Sequence, residues 1–185
     1  MAERVCPWWM GYFLLGPIRK LFENPRRILS PFVKKGMNVL EPGCGMGYFT
    51  LEAARLAGPE GRVYAVDLQE RMISALERRV RRAKLSDVVE ARVCPADSLG
   101  TGDLNGSIDL VLALYLVHEV PDAESFFGEV RQALRPGGRC VVIEPAGHVS
   151  EEDFEVTLGA ARRAGFSVDT GPEIHKSRSA VLEPE

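Results

Sequence analysis

Residues 39–47, Val39-Leu40-Glu41-Pro42-Gly43-Cys44-Gly45-Met46-Gly47, place a carboxylate at the end of an apolar run and then glycines at every second position. A helical pattern follows over residues 48–56. A strand that turns through glycines into a helix start brings bare backbone close to a ligand, with unpaired N–H groups and a positive dipole end on offer. That layout marks a nucleotide-type cofactor site. A dinucleotide fingerprint has the form G-x-G-x-x-G, with its third glycine one step later for helix packing. Here the order is E-x-G-x-G-x-G. A carboxylate before the first glycine repels a pyrophosphate and suits a ligand that carries an ammonium group.

Other acidic and basic groups fall at the ends of apolar runs. Asp67 closes the run 62–66, 20 residues after Gly47. A carboxylate there can accept both hydroxyl protons of a ribose, a device that nicotinamide-binding proteins share. Asp97 follows Cys94-Pro95-Ala96 and is either a ligand contact or the cap of a short helix at Ser98-Leu99. Glu41 has the same two alternatives, contact or cap. His118 and Glu119 follow the longest apolar run, and His148 lies on a later loop. A histidine is a sensible proton acceptor near neutral pH; the alternative for each is a ring that packs or orients backbone.

The 185 residues fit one domain, or one domain with an appendage. With 45% apolar and 26% charged residues the composition is that of an ordinary globular protein. A net charge of −3, with acids and bases interspersed, gives no general affinity for nucleic-acid phosphates. Arg78, Arg79, Arg81 and Arg82 form a basic run beside Glu77, read as a solvated helix face. Cys6, Cys44, Cys94 and Cys140 are far apart, with no CxxC pair and only three histidines, so neither a zinc site nor a disulfide framework is expected. Buried free thiols at Cys94 and Cys140 suit a reducing, cytoplasmic setting. The apolar stretch 5–15 contains Gly11 and is about half the ~20 residues of a membrane span; neither a span nor a signal peptide is expected.

Strand and helix signals alternate from residue 37 onward. Strands are expected at Val39-Leu40, 62–66, 88–94, 108–114 and 140–143, with a closing pair at 166–168 and 180–182. Helices are expected from residue 48, through Met72, Ile73, Leu76 and Val80, after a cap at Asp122, and over 151–164. The helix after Asp122 carries Phe126, Phe127, Val130 and Leu134 on one side and is expected to end at Gly137-Gly138. This alternation implies an α/β protein with a mostly parallel sheet covered by helices on both faces, where ligands bind beyond the carboxyl ends of the strands.

Taken together, the Glu41-to-Gly47 loop, Asp67, Asp97, the segment 109–122 with its His118 and Pro121-Asp122 turn, and Leu134-Arg135-Pro136-Gly137-Gly138 resemble the class I, Rossmann-like S-adenosylmethionine-dependent methyltransferases. The match is to the small-molecule group that includes ubiquinone and menaquinone methyltransferases (methyltransferase type 11). It runs in the family's order over residues 39 to 144. The resemblance implies a single doubly wound, mostly parallel seven-stranded sheet with a C-terminal antiparallel strand and an N-terminal helical extension. It implies S-adenosyl-L-methionine as cofactor and S-adenosyl-L-homocysteine as product.

By the same resemblance, Glu41 faces the cofactor's amino group, and Gly43, Cys44, Gly45 and Gly47 pass along its methionine and ribose. Asp67 and Leu68 take the ribose region, Ala96 and Asp97 the adenine, and Leu114 and Tyr115 complete the cofactor set. His118, Glu119 and His148 are candidates for a catalytic role. Two departures stand out: Glu41 where aspartate is commoner, and Pro42 in the loop. Nucleic-acid-modifying members carry Asn/Asp-Pro-Pro-Tyr/Phe after the fourth strand, whereas this chain has Ala113-Leu114-Tyr115-Leu116, which argues against methylation of nucleic-acid bases.

Residues 1–36 lack the strand pattern and form an N-terminal helical extension, with residues 37–185 as the S-adenosylmethionine-binding domain. Trp8, Trp9, Tyr12, Phe13, Ile18, Leu21 and Phe22 make an aromatic-rich stretch, and Asn24-Pro25 starts a second helix. This extension is either a lid over an apolar or aromatic small molecule, or a helix that covers the sheet edge or contacts a second copy in a homodimer. The expected reaction is in-line methyl transfer to a small-molecule acceptor, with no metal, nucleic acid or membrane span involved. A non-catalytic S-adenosylmethionine-binding relative and a nicotinamide-dependent oxidoreductase are the alternatives. The scattered cysteines speak against arsenite as acceptor.

Overall fold

Pro25 cannot donate a backbone hydrogen bond, which makes it well suited to the first turn of a helix. It opens α1 (Pro25–Leu29), and the Asn24 side chain before it accepts the Arg26 and Arg27 N–H groups. The computed structural model describes residues 23–185. The aromatic stretch from Trp8 to Phe22, and with it the lid, lies outside the described residues.

The chain divides into two compact units, residues 1–94 and 95–185. In the first, β1 (Asn38–Pro42), β2 (Arg62–Asp67) and β3 (Val89–Val93) pair in parallel in the order β3-β2-β1. Two helices serve as crossovers, α2 (Thr50–Ala57) and α3 (Glu70–Ala83). The apolar positions of α3, Met72, Ile73, Ala75, Leu76 and Val80, recur at helical spacing and are buried. Lys84, in left-handed conformation, ends it.

In the second unit, β4 (Ile108–Leu114) and β5 (Leu134–Pro145) are parallel, while β7 (Ser177–Pro184) runs antiparallel to both β5 and β6 (Phe166–Thr170). The strand order is β4-β5-β7-β6. The terminal antiparallel insertion expected from the sequence is therefore present. Six of the seven residues of β4 are buried, as a strand covered on both faces requires. Helices α4 (Ala123–Ala133) and α5 (Glu151–Arg163) start on side-chain caps, Asp122 accepting the Ser125 N–H and Ser150 the Asp153 N–H. Phe127 and Phe166, both almost wholly buried, meet edge to face at 6.2 Å between ring centres.

One boundary differs from the sequence expectation. Helix α4 stops at Ala133, not at Gly137-Gly138, and Leu134 is already extended. Arg135 precedes a proline, which disfavours helical backbone there. Residues 135–138 then form an irregularity in the β4–β5 register, with Gly137 at φ 77°. A Cβ at Gly138 would lie 2.8 Å from the Ile108 carbonyl, so the close approach of the two strands requires that glycine.

Candidate functional site

In the first unit, the segment after β1 does not enter a helix at residue 48. It continues as turns through Phe49 before α2 begins. Gly43, Gly45 and Gly47 all have positive φ, at 65°, 52° and 80°. That conformation suits glycine and strains other residues. The three glycines are not equivalent. A Cβ at Gly45 would meet nothing within 4 Å, whereas one at Gly47 would collide with the Leu76 side chain of α3. Gly45 thus presents open backbone, and Gly47 lets the loop pack on the protein itself. Gly47, expected from the sequence to pass along the ligand, is instead required by the side chain of Leu76. Gly47→Ala is expected to cost about 2–5 kcal/mol of stability, read by denaturant unfolding, because left-handed strain and overpacking add. Gly45→Ala is expected to cost only about 1–2 kcal/mol.

Asp67, at the end of β2 and 8% exposed, ties this loop down. Its Oδ2 accepts the Gly45 N–H at 2.9 Å and its Oδ1 the Gln69 N–H at 2.8 Å. Burial raises its pKa, and the two backbone donors offset part of that rise. Each oxygen keeps a further lone pair for a hydroxyl proton.

Glu41 is more unusual. It is 3% exposed, and its Oε2 has no hydrogen-bond partner among the described residues. The nearby Thr50 hydroxyl eases the charge somewhat, yet Thr50 Oγ1 also completes no hydrogen bond. Burial above all, with the Asp67 charge adding to it, pushes the Glu41 carboxyl up to about 8. The capping alternative fails: Phe49 occupies the start of α2, and no side chain caps it. A buried carboxyl without a partner is costly unless a cation or donor arrives. These acceptors fit a ligand bearing an ammonium and a vicinal diol.

Cys44 is buried and its thiol is held well above the usual range by burial and by Glu41, which leaves it unreactive. Leu68 is 41% exposed beside Asp67, an apolar surface at the strand end. Arg79 departs from the solvated basic face expected of its segment. It is half-buried, and its guanidinium donates to the Met46 carbonyl inside the loop. Arg78, Arg81 and Arg82 are exposed, and Arg81 pairs with Glu77 at 3.7 Å. Only the fold distinguishes the inward-turned arginine among Arg78, Arg79, Arg81 and Arg82.

In the second unit, Ala96 and Asp97 form an exposed turn. No helix starts at Ser98, and the Leu99 N–H goes to Glu129 at 2.9 Å, so Asp97 is not a cap. Leu114 is buried at the end of β4. Tyr115 follows with φ 56°, a strained value for a bulky residue, held by its N–H to the Ile143 carbonyl at 2.7 Å and its hydroxyl 3.2 Å from Ser177 Oγ.

His118 and Glu119 lie on a single 3-10 turn, Val117–Glu119. His118 Nδ1 is 2.5 Å from Oε2 of Glu144, and its Nε2 is 4.0 Å from Glu119 Oε1. Glu144, at the end of β5 and 0% exposed, is a site residue that the motifs do not reveal. A glutamate within an apolar run was the signal available. His148 is exposed on the turn after β5, with its N–H on the Pro145 carbonyl at 3.0 Å. The structure joins His118, Glu119 and Glu144, and nothing links the His148 ring to them among the described residues.

Against known proteins, the family described as a methyltransferase domain matches residues 33–176. The chain is 27% identical over 144 residues to a demethylmenaquinone methyltransferase of Lactobacillus johnsonii, covering 74% of this chain and 58% of that protein. It is 31% identical over 129 residues to a protein-L-isoaspartate O-methyltransferase of Methanothrix thermoacetophila, covering 68% of this chain and 54% of that one. The chain spans about half the length of the curated relatives it matches. In fold it is similar to a SAM-dependent methyltransferase from Aquifex aeolicus, with TM-score 0.84 and 24% identity over 96% of this chain and 97% of that one. This likeness carries the expected doubly wound fold class.

Proposed function

We propose that the chain, which belongs to the methyltransferase domain family, transfers a methyl group from S-adenosylmethionine to a small acceptor. The sulfonium of the bound cofactor supplies an activated methyl, so the protein has mainly to hold, orient and dehydrate the partners. Glu41 takes the cofactor's ammonium, Gly43, Cys44 and Gly45 give it backbone contacts, and Gly47 seats the loop against Leu76. Asp67 accepts the ribose hydroxyl protons beside Leu68. Ala96, Asp97, Leu114 and Tyr115 are assigned to the same cofactor on the resemblance alone. Residues 37–185 form the cofactor-binding domain in this reading.

The observation that carries it is the buried, unpartnered Oε2 of Glu41 beside Asp67. A cationic amino-acid end draws the buried Glu41 into its carboxylate form and pairs with it, whereas the pyrophosphate of a nicotinamide cofactor brings no positive charge to that carboxyl. An acceptor of quinone type is favoured by the names of the curated relatives, several of which are demethylmenaquinone methyltransferases. Nucleic acid is not the acceptor in this reading. No helix among the described residues is long and apolar enough to cross a membrane.

Calorimetry with S-adenosylmethionine and with NAD tests the cofactor, and saturable binding of the first alone is expected. Absence of saturable S-adenosylmethionine binding overturns the proposal. The acceptor is tested by S-adenosylhomocysteine release on a reduced naphthoquinol and on an isoaspartyl peptide. Turnover confined to the peptide would overturn the small-molecule assignment.

A further inference from the structure

Glu144 is fully buried in the second unit, where an unpaired carboxylate is strongly disfavoured. Two backbone N–H groups and one ring nitrogen of a single turn face it. Its Oε1 accepts the Val117 N–H at 2.6 Å and the His118 N–H at 3.4 Å, and its Oε2 meets the His118 ring at 2.5 Å. Arg178, its register partner on β7, sends its Nε to the Val149 carbonyl at 3.0 Å. The His118 side chain is 29% exposed, so solvent and solutes reach part of the ring.

An ionised carboxylate only accepts hydrogen bonds, so the ring nitrogen facing it carries the proton. In the neutral imidazole the lone pair then sits on Nε2. A ring present only for packing does not need a buried carboxylate to choose its tautomer. We propose that Glu144 is a positioning residue that holds His118 as its Nδ1–H tautomer, and that His118 Nε2 takes the proton released by a phenol or hydroquinone acceptor. The inference rests on the methyltransferase reading above and narrows its substrate class to acceptors that lose a proton on methylation. The acceptor's oxygen or ring carbon bonds to the methyl carbon, while the sulfur–methyl bond breaks and leaves its electron pair on sulfur. The acceptor's proton passes to Nε2 and from the imidazolium to water, and Glu144 stabilises that cation meanwhile.

The test uses the full chain labelled with nitrogen-15, with S-adenosylmethionine present at near-neutral pH. Long-range proton–nitrogen spectra are expected to show His118 as the Nδ1–H tautomer. Glu144→Gln can still accept the Val117 N–H, but it offers an amide N–H to Nδ1 and so forces the Nε2–H tautomer. Donor affinity is expected to stay within about twofold, while kcat for S-adenosylhomocysteine release on a reduced naphthoquinol falls about 10²-fold or more. An Nε2–H ring or an imidazolium in the unmodified protein, a tautomer unmoved by Glu144→Gln, or an unchanged kcat overturns the proposal. Should Glu144→Gln fail to fold, His118→Gln replaces it, with donor binding kept and turnover lost as the expected result and retained turnover as the refutation. Donor bound by the unmodified protein with the wrong tautomer sinks this inference alone. No donor bound at all sinks the methyltransferase reading and this one with it.

Discussion

Asp67→Ala is expected to weaken S-adenosylmethionine binding by about 10²-fold or more, the loss of two charge-assisted hydrogen bonds at about 1.5–3 kcal/mol each. It should also lower stability by about 1–3 kcal/mol, since it strips acceptors from buried backbone donors. Those donors are the Gly45 and Gln69 N–H groups, at 2.9 and 2.8 Å from the carboxylate. The same side chain therefore shapes the loop and meets the ligand. Asp67→Asn separates the two roles. The amide keeps the shape and one acceptor, but it turns an N–H group toward one of the backbone donors. Calorimetry and thermal unfolding read both effects, and an unchanged dissociation constant for Asp67→Ala would remove the ribose contact from the proposal.

The second large effect is a pH dependence set by Glu41. Its carboxyl is raised from 4.5 to about 8 in the unliganded fold, by burial first and by the Asp67 charge last. The folded state therefore holds a proton that the unfolded chain has released. The stability from this group is fully present below the ordinary carboxyl value of 4.5 and is lost as pH rises through about 8. Between those limits the unliganded protein is expected to lose up to about 1.4 kcal/mol per pH unit from this group. A ligand ammonium reverses the preference and calls for the carboxylate. Binding below the raised pKa should then release close to one proton, and affinity should tighten by up to about tenfold per pH unit as pH approaches neutrality. Calorimetry in buffers of different ionisation enthalpy counts the proton. Glu41→Gln should abolish both the release and the slope, weaken binding above neutrality, and make the unliganded protein's stability less sensitive to pH. A proton count near zero for the unmodified protein would remove Glu41 from the ammonium site.

Much of the architecture was legible because its signals are local. The apolar run of β4 needs burial on both faces, and helices α1 and α4 announce themselves through Asn24 and Asp122. The end of α4 was misplaced because proline at 136 acts on the residue before it, a stronger local rule than the glycines that follow. The glycine loop and Asp67 could be found because a close backbone approach and a strand-end carboxylate leave residue types that few other roles require.

The rest depended on what the chain brings together across distance. Residue type does not tell which of Arg78, Arg79, Arg81 and Arg82 reaches the Met46 carbonyl, and no spacing rule ties Glu144 to a histidine 26 residues earlier. Likewise, Gly45 and Gly47 look alike in sequence, and only the Leu76 side chain separates the open one from the packed one. Residue types and spacing decided the fold class, the strand-end carboxylates and the glycine turn, because backbone geometry and burial periodicity act within a few residues. The tertiary structure alone decided which carboxyl lacks a partner and which holds a histidine, because desolvation and hydrogen bonding are set by neighbours remote along the chain.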